Sequence, residues 1–176
     1  MSGHNKWSQI KRQKGVSDAK KSKMFSKFGR LLVIEAKKAG GNLNSPSLKA
    51  VIDRAKAANM PNDTIDRALK KASTDKSAAM DSITYESYGP GGCAIIIEAL
   101  TDNRNKAAQE IKFILSKYGA SLAGIGAATW AFKKVGTGWE AQTTVPLEDV
   151  DIATLEKLVD ELEENDEVQE VFTNAE

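Results

Sequence analysis

The chain has 176 residues, of which 41% are hydrophobic and 28% are charged, so it can form one or two domains with apolar cores. A single cysteine, Cys93, excludes an intramolecular disulfide, and a single histidine, His4, leaves no Cys/His cluster with zinc-ligand spacing. The net charge is +1, but residues 1–76 hold 18 Lys/Arg and 6 Asp/Glu, whereas residues 77–176 hold 7 and 18. We therefore predict a basic domain, 1–76, followed by an acidic domain, 77–176.

The basic side chains are concentrated at the N-terminus. Residues 3–30 carry nine Lys/Arg and one acid, Asp18. Residues 1–16 hold little apolar material, so we expect a flexible arm there. Because each cation that neutralises a phosphate releases a counterion, the pattern predicts salt-dependent binding of nucleic acid. The candidate contacts are His4, Lys6, Trp7, Lys11, Arg12, Lys14, Lys20, Lys21, Lys23, Lys27 and Arg30. Trp7 can either stack on an unpaired base or pack on the arm itself.

Three helices are predicted in the first domain. The first begins after a cap at Ser17 and ends at Gly40, with an apolar stripe at helical spacing. The second begins at Ser45-Pro46, a cap followed by a first-turn proline, and the third spans 62–72. A polar linker over 73–82 separates this three-helix domain from the rest.

The second domain alternates strands and helices. Residues 83–87 form a strand, 93–100 a central strand, 102–118 a helix, 129–135 and 139–145 two strands, 151 onward a helix, and 168–172 a last strand. From Cys93 the order is β, α, β, β, α, β, which is that of a ferredoxin-like sandwich with a single sheet and both helices on one face. The predicted fold class is therefore α+β.

No catalytic constellation is visible in the sequence. The Gly89-Pro90-Gly91-Gly92 segment precedes a strand and lacks a lysine, which favours a tight turn over a phosphate loop. The carboxylates after residue 140 resemble the solvated face of a helix more than an acid/base pair. We predict a non-enzymatic, monomeric protein without cofactor, metal or small-molecule substrate. With no apolar run of about 18 residues, we expect no membrane span and a cytoplasmic location.

Several motifs resemble the YebC family. They are GHNKW at 3–7, DAKKSKMFSK at 18–27, AANMPNDTIDRA at 57–68, YGPGG at 88–92, LTDNRN at 100–105 and the ending LEENDEVQEVFTNAE. The resemblance extends over nearly the whole chain. It implies a regulator of gene expression, because bacterial members are described as probable transcriptional regulators and mitochondrial relatives as translational activators of cytochrome c oxidase.

The resemblance leaves the target of this regulator open. It implies either DNA, for a transcription factor, or the ribosome and its RNA, for a translation factor that assists difficult stretches such as consecutive prolines. A protein adaptor whose basic arm binds an acidic partner is a further alternative. The family also carries an additional α/β domain after the strand that ends near Lys134. This chain instead turns at residues 136–138 and continues to Trp139, so that domain is missing.

Overall fold

The computed structural model describes Trp7 and residues 18–75, 80–136 and 138–176. The chain divides into two compact units, of which one is Val16–Met80 and the other joins Met1–Gly15 to Asp81–Glu176. Of the first fifteen residues, the structure describes Trp7. The predicted boundary at residue 76 falls outside the described residues.

Three helices form the helical unit. They are α1 (Asp18–Lys38), α2 (Pro46–Ala57) and α3 (Asn62–Thr74), and they confirm the three predicted helices. Pro46 lies in the first turn of α2, where its missing N–H costs nothing. The apolar stripes of the three helices meet in one core, made of Leu32, Ala36, Leu48, Val51, Ala55, Met60 and Ile65.

The described residues of the α/β unit form six strands and two long helices. In chain order they are β1 (Asp81–Tyr88), β2 (Ala94–Thr101), α4 (Arg104–Lys117), β3 (Ser121–Ala123), β4 (Phe132–Val135), β5 (Gly138–Ala141), α5 (Asp149–Glu164) and β6 (Val168–Thr173). The main sheet is antiparallel with strand order β3-β1-β2-β6, while β4 and β5 form a separate two-stranded sheet. Asn103 caps α4, because its side chain accepts the N–H of Lys106 at 3.1 Å.

Strand β2 is buried on both of its faces. Ile95 and Ile97 point into the core that α4 and α5 form on one side of the sheet. Ile96 packs on the other side with Phe132 of β4, and Trp139 of β5 adds to this second core. The helices therefore cover one face of the sheet, and the β4–β5 hairpin covers part of the other face.

The predicted fold class is confirmed, since three helices precede an α/β sandwich with an antiparallel sheet. The order β, α, β, β, α, β also holds from β2 onward, apart from the short extra strand β3. The prediction of a single sheet is wrong, because β4 and β5 leave the main sheet. Strand β1 lies beside β2 instead, since the tight turn between them aligns eight successive residue pairs. Within the described residues, no helix has the length and apolar character needed to cross a membrane.

Candidate nucleic-acid interface

Five of the predicted contacts lie on α1. Lys20, Lys23, Lys27 and Arg30 are three or four residues apart, so they share one face of the helix, while Lys21 lies beside them. Lys20 and Lys21 are exposed, and the other three are half-buried. The predicted contacts His4, Lys6, Lys11, Arg12 and Lys14 lie outside the described residues.

Trp7 lies in the core of the α/β unit. Its side chain is 8% exposed and belongs to the apolar cluster that includes Ile95 and Leu155. The sequence placed Trp7 in the flexible arm, either stacked on an unpaired base or packed on the arm itself. In the observed position the ring packs instead, because an indole buries a large apolar surface in such a core.

A groove of about 460 Å³ lies between α1 and α3, entirely within the helical unit. Its lining combines apolar side chains with cations from both helices. The cations are Arg30, Lys37 and Lys38 of α1 and Arg67 and Lys71 of α3, and the remaining lining residues include Gly29, Val33, Ile34, Ala68, Asp75 and Met80. Five cations and one carboxylate give this groove a positive potential.

Ion pairs join several of the groove's cations to carboxylates. The Nζ atom of Lys37 lies 3.4 Å from Oδ2 of Asp75, and Nη2 of Arg67 lies 3.6 Å from Oδ2 of Asp63, four residues earlier on α3. The Arg67 side chain is 74% exposed. An exposed pair such as Arg67–Asp63 contributes about 0–1 kcal/mol, so an incoming phosphate can replace the Asp63 carboxylate at little cost, whereas Lys37 and Asp75 form a half-buried pair.

Sequence reasoning missed most of the groove. Arg30 was a predicted contact, but Lys37, Arg67 and Lys71 were not. A signal for them exists, since Arg67 and Lys71 are four residues apart and Arg30 and Lys37 are seven apart, which places each pair on one helix face. The two faces border one groove because of the way α1 and α3 pack together. The sequence pattern of either helix alone does not show this packing.

In the α/β unit, Glu86 of β1 holds the loop that precedes β4. Its carboxylate accepts the backbone N–H groups of Gly126 at 2.7 Å, Ala128 at 2.9 Å and Thr129 at 2.7 Å. Burial raises the pKa of Glu86, but these hydrogen bonds lower it by more, so the net pKa lies below its usual value. The buried carboxylate thus has a structural role that accounts for its environment.

The fixed loop presents apolar side chains to solvent. Ile125 is fully exposed and Trp130 is 59% exposed. The indole N–H of Trp130 donates to the Tyr88 hydroxyl at 2.8 Å, and that hydroxyl in turn donates to the Ala127 carbonyl. These bonds hold the exposed aromatic side chains in one arrangement.

The described residues offer no evident catalytic centre. Burial raises the pKa of the Cys93 thiol to about 11, so the thiol stays protonated and is a poor nucleophile. No group of three or more His, Cys, Asp or Glu side chains in the described part of the chain is arranged to hold a metal ion.

The fold and the groove define a protein in which a basic helical unit precedes an acidic α/β unit. Residues 5–75 match the family model described as "TACO1/YebC protein N-terminal domain". Residues 80–138 and 135–175 match the one described as "TACO1/YebC second and third domain". The chain belongs to the TACO1/YebC family, which confirms the resemblance seen in its sequence motifs.

Bacterial relatives share the name "Probable transcriptional regulatory protein". The protein from Petrotoga mobilis is 42% identical over 184 residues, which cover all of this chain and 71% of that protein. The one from Finegoldia magna is 48% identical over 138 residues, which cover 77% of this chain and 57% of that protein. The chain therefore spans only part of the length of these relatives.

A solved structure has the same fold. It is the crystal structure of a conserved hypothetical protein from Aquifex aeolicus, with a TM-score of 0.77 and 26% sequence identity, and the match covers 90% of this chain and 91% of that one. The match to the second family model is divided into two segments that meet at residues 135–138. This is the turn between β4 and β5, where the sequence motifs indicate that a domain is missing.

Proposed function

We propose that this chain is a non-enzymatic regulator of gene expression that binds nucleic acid through its basic N-terminal domain, 1–76. The acidic domain, 77–176, positions the basic domain or contacts a protein partner. DNA is the first target, because the relatives are named as transcriptional regulators. We place this activity in the cytoplasm and assign it to a monomer.

The observation that carries the proposal is the separation of charge between the two units. Residues 16–80, the helical unit, contain 14 Lys/Arg and 6 Asp/Glu, a net charge of +8. Residues 1–15 and 81–176, the other unit, contain 11 and 18, a net charge of −7. A phosphate backbone is attracted to the first unit and repelled by the second. In the helical unit the cations lie on one face of α1 and along the groove, as a contact surface requires.

Charge reversal on α1 tests the proposal. A variant with Lys20→Glu, Lys21→Glu and Lys23→Glu should bind a fluorescent duplex DNA at least about tenfold more weakly than the wild type near 0.15 M salt. The slope of log affinity against log salt should become shallower by about three, since each phosphate contact contributes about 0.9. Fluorescence anisotropy over a salt series measures both quantities.

The matched control makes the same change of charge in the other unit. Lys112, Lys133 and Lys157 are exposed, and their reversal to Glu should alter DNA affinity much less. Circular dichroism checks that both variants remain folded. Equal losses in the two variants, or an unchanged salt slope in the first, would contradict the proposal. Sedimentation of the wild type with purified ribosomes despite excess DNA would instead make the ribosome the target.

A further inference from the structure

The groove between α1 and α3 has both apolar and cationic lining residues. Val33 and Ile34 of α1, Ala68 of α3 and Met80 are the apolar ones, and both helices contribute cations. An apolar ligand would gain nothing from the cations, and a simple anion would gain nothing from the apolar lining. The groove therefore suits a ligand with a flat apolar part and adjoining negative charges.

A nucleotide has this chemistry. The volume of about 460 Å³ lies within the range of about 300–1,000 Å³ that is typical of small-ligand sites. Arginine guanidinium planes commonly stack on unpaired bases. Arg30 Nη2 donates to the Met80 sulfur at 3.6 Å, so the guanidinium lies beside an apolar lining residue of the groove. Arg67 and Lys71 of α3 suit the flanking phosphates.

The cations on α1 extend the site beyond one nucleotide. Lys20, Lys23, Lys27 and Arg30 follow one helix face that leads to Lys37 at the groove. From Lys20 to Lys37 this face is about 25 Å long, at about 1.5 Å per residue. It can follow several successive phosphates, so the ligand is a strand and not a free nucleotide.

We propose that the groove receives an unpaired nucleotide of a single-stranded nucleic acid, whose neighbouring phosphates lie along α1. The inference rests on the proposed function and adds a preference for single strands. In a duplex, each base is stacked and paired, and its entry into the groove would require the base to be flipped out at a cost in stacking energy. RNA and DNA strands share the chemistry that the groove recognises.

Gly29 provides a test that leaves every charge in place. It lines the groove, and a Cβ at this position would meet no atom within 4 Å. Gly29→Leu extends a branched side chain into the open space, whereas Gly29→Ala adds only a methyl group. Both substitutions favour the helical backbone of α1, so neither variant should unfold at a lower temperature than the wild type.

The assay uses fluorescence anisotropy with three probes of one sequence, which are a 12-nucleotide RNA strand, the corresponding DNA strand and the DNA duplex. Gly29→Leu should bind at least one of the single strands about tenfold more weakly and the duplex with less than about a twofold change. The strand that suffers the larger loss identifies the preferred sugar. Gly29→Ala should bind all three probes like the wild type.

The outcomes separate this inference from the proposed function. The groove assignment is overturned if Gly29→Leu lowers the affinity for single strands and duplex equally, or if it changes neither affinity. In both cases nucleic-acid binding by the helical unit stands. If uridine monophosphate displaces the RNA strand at comparable concentration, the site is one for free nucleotides and the strand proposal is overturned. If the wild type binds none of the three probes, the proposed function itself fails.

Discussion

Replacement of Trp7 by alanine is expected to lower the free energy of unfolding of the α/β unit by about 3–5 kcal/mol, the range for removal of a large aromatic side chain from a core. The reason is the position of the indole among Ile95, Leu155 and their neighbours, where it is 8% exposed. Urea denaturation measures the change. Trp130 and Trp139 remain in the same unit and report its unfolding by fluorescence.

The control for this prediction is Trp130→Ala. Trp130 belongs to the same unit but is 59% exposed, and its indole makes one hydrogen bond, to Tyr88. Its loss should therefore cost about 0.5–1.5 kcal/mol. A Trp7→Ala protein that unfolds at the wild-type urea concentration, yet binds nucleic acid more weakly, would contradict the core position of Trp7 and restore the stacking role.

The substitution Glu86→Gln is expected to destabilise the α/β unit by about 1.5–3 kcal/mol at neutral pH, the range for hydrogen bonds to a charged group. The two carboxylate oxygens accept three backbone N–H groups, from Gly126, Ala128 and Thr129. Glutamine keeps the shape but replaces one acceptor oxygen by an NH₂ donor. At least one N–H group would then face a donor, and the loop before β4 would lose an attachment.

The same substitution should change how stability depends on pH. The folded-state pKa of Glu86 is lowered, so its stabilising contribution is complete above the pKa of the unfolded chain and is lost as the pH falls through the folded-state pKa. The difference in unfolding free energy between wild type and Glu86→Gln should therefore shrink between neutral pH and about pH 3. Glu140→Gln, at an exposed position of β5, serves as the control. A difference that stays constant with pH would show that the carboxylate charge is not involved.

Much of the fold could be predicted because the signals are local. Helix α3 was expected over 62–72 and spans Asn62–Thr74, since an amphipathic repeat after a proline defines both its start and its buried face. A central strand was predicted over 93–100 from its β-branched residues, and the observed strand spans Ala94–Thr101. Both features depend on near neighbours in the chain.

The arrangement of the strands could not be predicted in the same way. No strand was predicted between the helix over 102–118 and the strand over 129–135, but Ser121–Ala123 pairs with β1 at the edge of the main sheet. The hairpin of β4 and β5 was expected in that sheet, but its place is set by Ile96, whose side chain needs cover on the face opposite the helices. This requirement depends on how the layers of the unit pack together, so the local sequence pattern does not show it.

For the candidate site too, the sequence predicted the local features but not those that depend on packing. The lysines of α1 and Arg30 were expected to contact phosphate because they cluster in the sequence, and this remains a prediction. The groove escaped notice because Arg67 and Lys71 lie some forty residues from Arg30 in the chain, and Val33 and Ile34 look like ordinary core residues. Trp7 was ambiguous for a related reason, since an indole amid lysines has the same sequence signature whether it stacks on a base or packs in a core.

The turn between β4 and β5 also has a practical use. Val135 and Gly138 are paired neighbours on two antiparallel strands, so a segment inserted between them leaves and re-enters the fold at almost the same point. The sheet around Ile96 does not depend on what is carried there. A fluorescent protein or an affinity tag inserted into this turn should therefore leave the α/β unit folded.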